Sequence, residues 1–498
     1  MNRRKKLYLN TVTAFLNQLV ALICGFILPR YILSYFGSDA NGLVNSITQF
    51  LSVISFLELG VGPVIQSNLY KPLADKDTET ISKIVVSSER FYRRIAYIFL
   101  AYIAVLAVIF PGTTPEYDFW YTASLLLIIS ISTFAQYYFG ITYQVFLNAD
   151  QKVYVHSTVQ IITIILNTVL SVVLMKLGCG LHVVKLVSAI VFVVRPVVQN
   201  VYVKKNYRID RKITYTEEPI KQKWNGFAQH LAAVVCGEID VVLLTFFSTY
   251  QRVSIYSVYF LVVNGITKLI MTAVSGLESF WGNMLARKEY RLLNKTFEGV
   301  EALIHTGVTF LFVTTAILIA PFVKVYTAGL EDSAAYFLPL FGALLTFAYG
   351  AQCLRIPYFR IIKAAGHYKE TQNGAFISMG INIVLSIILV FQYQLVGVAI
   401  GTLLAMLYHT VYFAWYLRKN IINRPFRHFV KHLVLDIVVG VLGFISTGWL
   451  SMRTETYGGW IIYAIIVSVI VGVITLALNV AVYKEQFIYL VKKVLKKA

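Results

Sequence analysis

Apolar runs of about twenty residues or more alternate with short polar segments along the whole chain. A helix that crosses a bilayer needs about 20 mostly apolar residues. Fourteen stretches meet that need: 8–34, 42–68, 91–111, 119–147, 153–177, 181–203, 224–248, 253–284, 298–322, 335–361, 369–392, 395–417, 429–450 and 458–482. The longest polar interruption, 204–223, carries Lys204, Lys205, Arg208 and Glu217 and reads as a linker between two halves. The pattern predicts an all-α polytopic membrane protein with 14 transmembrane helices.

Composition agrees, with 58% hydrophobic and only 14% charged residues, where soluble domains carry about 25% charged. The formal net charge of +20 would suggest nucleic acid in a soluble chain. Its distribution points to topology instead. With the N-terminus inside, the cytoplasmic segments hold 35 of the 44 basic residues, and the outward loops hold only Lys176, Arg252, Lys324 and Arg453. That bias predicts an even span count with both termini cytoplasmic, in a cytoplasmic membrane. The first apolar run is too long for a cleavable signal peptide and lacks a small-residue cleavage site. Cys24, Cys179, Cys236 and Cys353 are scattered and make neither a metal spacing nor a disulfide framework. Asp75 to Arg94 and the tail from Lys484, with Lys492, Lys493, Lys496 and Lys497, read as amphipathic helices lying on anionic lipid.

Polar positions inside the spans carry the candidate chemistry. Asn45, Thr48, Ser52 and Ser55 recur at spacings of three and four, hence on one helical face. They lead to Glu58, just before Gly60-Val-Gly-Pro63, which loosens the helix. A second stripe comprises Ser257, Asn264, Lys268 and Ser275, followed by Glu278. An ionised side chain at mid-helix costs about 2.5–3.5 kcal/mol on insertion scales, so it faces a wet cavity or a partner. Lys268, about fifteen residues into its span, is too deep to reach either surface and reads as cavity lining. Arg355, between Gln352 and Pro357, reads the same way. Arg30, next to Pro29, either snorkels to headgroups or lines the cavity, whereas Arg195 and Lys185 read as snorkelling residues. Glu58 and Glu278 would pair with a cation, bind a coupling ion or cap the following break. In span seven, His230, Ala233, Gly237 and Asp240 share a face, which favours Asp240 over Glu238 for the cavity. Asp436, four residues after His432, reads as half of a shallow interfacial pair.

The chain also repeats itself. Asn167-Thr-Val-Leu-Ser171 returns as Asn382-Ile-Val-Leu-Ser386, 215 residues on, and Lys204-Lys-Asn206 as Arg418-Lys-Asn420, 214 on. Leu57-Glu58 matches Leu277-Glu278 at 220, with Tyr70 matching Tyr290, which sets Lys268 in the place of Thr48. Six spans separate the copies, so they share orientation, as in a parallel repeat about an axis along the membrane normal. The expected division is a first six-helix lobe over 1–210, a second over 211–422, and two further helices with a basic tail over 423–498. Two such lobes would face one another and expose substrate to each side in turn.

Phe36-Gly37 through Gly42 opening span two, Leu57-Glu-Leu-Gly-Val-Gly-Pro63, the basic loop that follows and the six-plus-six-plus-two organisation resemble the Wzx-type oligosaccharide (polysaccharide transporter) flippases. These belong to the multidrug/oligosaccharidyl-lipid/polysaccharide exporter superfamily, which also holds multidrug and toxin extrusion (MATE) transporters and lipid II flippases. The resemblance implies a flippase that moves a polyprenyl-diphosphate-linked, anionic oligosaccharide across the membrane for capsule, exopolysaccharide or teichoic-acid synthesis. Its partners would be membrane lipids and other polysaccharide-assembly membrane proteins, with no nucleic acid and no cofactor. Lys268, Arg355 and Arg30 would neutralise the diphosphate or acidic sugars. Asn264, Ser257, Ser275, Asn45, Thr48 and Ser52 would hydrogen-bond sugars, while Glu58, Asp240 and Glu278 would serve coupling or gating. Two alternatives stay open: a multidrug–cation antiporter on the same scaffold, and a membrane-embedded glycan polymerase or acyltransferase. The eight histidines lack a zinc-protease spacing, Gly60-Val-Gly62 lacks a nucleotide-loop context, and no Walker motif is present. An enzyme is therefore not expected.

Overall fold

A computed structural model describes residues 3–58, 60–113, 117–215, 218–220, 237, 239–332, 334–450 and 455–495. The regular elements among the described residues are helices, most of them long. Glu217, His230, Ala233, Cys236, Glu238, Arg453, Lys496 and Lys497 lie outside the described residues, as do the side chains of Lys492 and Lys493. Among the described residues, ten stretches are long and apolar enough to cross a membrane, and most of the expected span 224–248 lies outside those residues. Two of them, Tyr8–Glu58 and Gln372–Asn420, each hold two of the spans expected from sequence. Span ten is divided between two shorter helices. The chain separates into two compact units, 1–246 and 247–498.

The first unit opens with α1 (Arg3–Val53), two spans joined at Gly37. Gly37 has φ 80°, a left-handed conformation that glycine adopts without steric cost. A 3₁₀ turn, Ile54–Glu58, and left-handed Gly60 (φ 70°) loosen the chain before α2 (Val61–Asp75). Asp77 then starts α3 (Thr78–Ile109) by accepting the Thr80 backbone N–H, which satisfies one of the orphan donors of the first turn. Next come α4 (Phe119–Phe139), α5 (Ile141–Ala149), α6 (Val153–Lys176) and α7 (Leu181–Asn206). Helices α4 and α5 meet at Gly140, where an added Cβ would lie 2.8 Å from Pro196 Cβ of α7. Glycine at the break permits that close approach.

Asp150 ties three parts of this unit together. Its carboxylate lies 3.3 Å from Lys6 Nζ and 3.0 Å from Lys152 Nζ and accepts from the Tyr207 hydroxyl. Burial alone would raise the Asp150 carboxyl, but the bonds from Tyr207 and Lys152 and the charges of Lys152 and Lys6 hold it below its ordinary value. A depressed carboxylate contributes stability above its unfolded pKa and loses it as pH falls through the folded one. Anchoring of the start of α1 is therefore expected to weaken progressively below about pH 4, and Asp150→Asn should weaken it already at neutral pH. Hydrogen exchange of the first turns of α1, corrected for intrinsic rates, checks both outcomes.

The second unit contains α8 (Tyr250–Ala273), α9 (Leu277–Ala286), α10 (Tyr290–Tyr326), α11 (Pro339–Leu354), α12 (Ile356–Ala364), α13 (Gln372–Asn420), α14 (Arg427–Thr447) and α15 (Tyr457–Leu495). Pro357 in the first turn of α12 lacks an N–H, so the α11 hydrogen-bond ladder stops at Arg355. Helix α13 folds two spans together at Gln394. A Cβ on Gly397 would fall 2.3 Å from Leu389 O, and one on Gly401 2.3 Å from Ser386 Oγ. These glycines let the halves of α13 meet backbone to backbone, the way small residues act in membrane helices.

Element boundaries restate the repeat in a different register. Left-handed Lys76 and Lys288 close α2 and α9, 212 residues apart. Helices α3 and α10 begin at Thr78 and Tyr290, again 212 apart. At the other end, the residue after Gly37 and the start of α8 at Tyr250 give the same offset. The match at 220 is thereby corrected: Tyr290 corresponds to Thr78, and Lys268 to Phe56 rather than Thr48. Glu58 ends a turn before its break, whereas Glu278 lies in the first turn of α9, after its break. The two carboxylates are not equivalent. The stripes, by contrast, coincide, since Asn45 and Ser52 fall on Ser257 and Asn264 at 212. The α4/α5 and α11/α12 breaks, Gly140 and Arg355, lie 215 apart, like the Asn167 and Asn382 motifs.

Candidate functional site

In the first unit the polar stripe lies on the second half of α1. Thr48 is exposed and Asn45 and Ser52 are half-buried, while Val44, Ile47 and Leu51 along one flank of the stripe are buried. Asn45 Nδ2 donates to Asn41 O at 2.8 Å, Thr48 Oγ1 to Val44 O at 2.7 Å and Ser52 Oγ to Gln49 O at 2.7 Å. Such backbonding satisfies donors inside a membrane and leaves oxygens able to accept from a ligand hydroxyl. Glu58 accepts from the Tyr137 hydroxyl at 2.7 Å. Arg30 is half-buried one residue after Pro29, and Asp240 is buried.

The second unit presents the corresponding stripe on α8. Ser257 and Asn264 are half-buried and Lys268 is exposed, whereas Val253, Tyr256, Val263 and Thr267 are buried. Ser257 Oγ donates to Val253 O at 2.8 Å. Ser275 lies in the turn between α8 and α9, exposed but beyond the regular helix, so it is not on the α8 face that sequence phase assigns it. Among the described residues, the Lys268 ammonium has no hydrogen-bonding or ionic partner. Glu278 is different: Arg360 Nη1 lies 3.1 Å from its Oε2, so its charge is largely neutralised. Arg355, at the α11/α12 break, points Nη1 to His409 Nδ1 at 2.5 Å and stands over the Phe413 ring, 6.0 Å from its centroid.

Two assignments from sequence need correction. Arg195 does not snorkel away from the unit: its Nε donates to Thr163 Oγ1 of α6 at 2.6 Å and its guanidinium covers the Phe192 ring at 4.2 Å. His432 and Asp436 do not form a shallow pair with each other. Asp436 accepts from His305 Nδ1 and Thr309 Oγ1 of α10, both at 2.6 Å, and His432 Nε2 faces Glu301 Oε2 at 3.5 Å.

Sequence reasoning also missed a duplicated polar triad. In the first unit, Tyr143 donates to Glu89, and Arg211 donates to Tyr143 and lies 3.8 Å from Glu89. In the second, Tyr358 donates to Glu301 at 2.7 Å and Arg424 Nη2 reaches the same oxygen at 2.5 Å. The pairs Glu89/Glu301, Tyr143/Tyr358 and Arg211/Arg424 lie 212, 215 and 213 residues apart. The signal was the set of repeat offsets itself, applied to polar residues at span ends.

No protein-family model matches the chain, and no curated protein matches it in sequence. Solved structures do match in fold. A lipid II flippase, MurJ, in an inward closed conformation superposes with TM-score 0.70 at 15% identity, covering 94% of this chain and 99% of that one. An inward-facing multidrug resistance MATE family transporter of the MOP superfamily gives TM-score 0.59 at 15% identity, over 81% and 96%. The eukaryotic MATE transporter AtDTX14 gives 0.55 at 12%, over 86% and 98%. The chain thus has the polytopic all-α fold seen in these membrane transporters. Among those three, the flippase covers the most of this chain.

Proposed function

We propose that this protein is a flippase that carries a polyprenyl-diphosphate-linked oligosaccharide across the cytoplasmic membrane by alternating access of its two lobes, for cell-surface polysaccharide synthesis. The observation that carries this reading is Lys268, an exposed ammonium deep in a membrane-spanning helix without a partner among the described residues. A buried-depth cation left open in this way suits a phosphate or acidic sugar. Arg355 adds a second fixed positive charge, and the hydroxyl and amide stripes of α1 and α8 supply sugar contacts. The lipid tail stays in the bilayer. A dianionic headgroup leaving a negative interior gains about 2.3 kcal/mol per charge for each 100 mV, so ATP is not needed. Cation antiport is less well supported, because Glu278 is already paired with Arg360 and Glu58 is held by Tyr137.

Depletion of the protein, followed by mass spectrometry of polyprenyl-linked intermediates and a leaflet-accessibility assay, tests the proposal. One glycan is expected to accumulate in the inner leaflet. No accumulation, or resistance to cationic drugs on overexpression, would count against it.

A further inference from the structure

The two triads differ in a neighbouring position. Four residues after Glu89 stands Arg93, whose Nη2 lies 3.5 Å from Glu89 Oε2. Four residues after Glu301 stands His305. The offset is 212 in both cases, so lobe two has a titratable cation where lobe one has a permanent one.

Hydrogen-bond accounting gives the charge state of His305. Tyr358 has one hydroxyl proton, and it goes to Glu301 Oε1 at 2.7 Å. The Tyr358 oxygen can then only accept from His305 Nε2, 3.0 Å away. His305 Nδ1 faces Asp436 Oδ2 at 2.6 Å, where a carboxylate needs a donor. Both ring nitrogens therefore donate, which makes His305 an imidazolium. His432 is the opposite case. Its Nε2 faces Glu301, while its Nδ1 has no partner among the described residues, so one proton suffices. Its ring stacks on His305 with centroids 4.6 Å apart and on Tyr483 at 4.2 Å, which disfavours a second positive charge there.

The charge count agrees. Glu301 and Asp436 contribute two negative charges, Arg424 one positive, and His305 the second. All four side chains are buried or nearly so. Glu298 and Arg424 interact at the edge of the cluster, and Lys431 stands over the Tyr483 ring at 5.1 Å on its rim. Buried charges persist only when balanced and hydrogen-bonded.

We propose that His305 is a proton-binding site that fastens α14, and with it the C-terminal helix pair, to the second lobe, and that Arg93 fills the same place permanently in the first. The bound proton comes from water and sits between Asp436 and Tyr358. Raising the pH removes it. One ring nitrogen then ceases to donate, the Asp436 carboxylate loses its cationic partner, and the cluster is left with an excess negative charge. This goes beyond the transport reading, and its test requires no transport.

Hydrogen exchange of the α14 segment 427–436, corrected for intrinsic rates, is followed from pH 6 to pH 10 in the full-length protein. In the wild type, exchange is expected to accelerate about tenfold across this range, the scale of one charge-assisted hydrogen bond. His305→Arg should abolish the step by keeping the charge. Asp436→Asn, which removes the carboxylate that calls for the proton, should also flatten it. A flat wild-type profile overturns the proposal, as does a wild-type step that survives in Asp436→Asn. Should His305→Arg not fold, selective ¹⁵N labelling of histidine in the wild type reads the state directly: one deeply buried imidazolium at neutral pH is expected, and none would be the overturning result.

Discussion

Lys268→Ala is expected to lower translocation of the lipid-linked substrate by about tenfold to a hundredfold, with expression and thermal stability unchanged. The magnitude is that of one charge-assisted bond to an anionic group, about 1.5–3 kcal/mol. Stability should not move because the ammonium is exposed and has no partner among the described residues to strand. Substitutions away from such features stay within about 0.5 kcal/mol. Lys268→Arg should retain part of the activity, since the charge remains while the donor geometry changes. A leaflet-accessibility assay on reconstituted protein, beside a melting curve, separates the two effects. Full transport by Lys268→Ala would remove the residue from the site.

Glu301→Ala should destabilise the second lobe by about 3–5 kcal/mol, the range for removing one partner of a buried ion pair. The Glu301 side chain is 1% exposed, and its loss strands the Arg424 guanidinium beneath the surface together with the hydroxyl of Tyr358. Burial and hydrogen bonding to Tyr358 make this carboxylate a hub rather than a surface charge. Glu89→Ala, the counterpart in lobe one, should cost less: Glu89 is 11% exposed and Arg93 is 42% exposed, so water can solvate the cations it leaves. Thermal unfolding in one detergent, for both variants in parallel, checks the order. Equal losses would mean that burial does not govern these clusters.

Much of the architecture was legible in the residue pattern because membrane helices must satisfy every backbone group internally. Apolar length alone therefore pointed to the spans among the described residues, and the duplicated Asn167 and Asn382 motifs pointed to the repeat. The register of spans two and eight was not legible. Leu57-Glu58 and Leu277-Glu278 are similar words on opposite sides of their helix breaks, and two residues cannot distinguish a coincidence from a repeat. The left-handed closures at Lys76 and Lys288 make that distinction, because backbone conformation marks the element boundary itself.

The candidate site divides along the same line. That Lys268 sits deep in an apolar helix follows from its position in the chain, and so does the spacing of Asn45 with Ser52 and of Ser257 with Asn264. Whether a buried charge is open or already answered depends on residues far away in sequence. Glu278 of α9 finds Arg360 of α12, Arg355 finds His409, and Asp436 finds His305 rather than the nearby His432. Sequence by itself determined the class of the fold and which polar residues had to be accounted for, since hydropathy and helical period are local properties. Tertiary structure decided which of those residues have partners, because pairing is set by the packing of separate helices. It left Lys268 open among the described residues, and it set His305 between Asp436 and Tyr358.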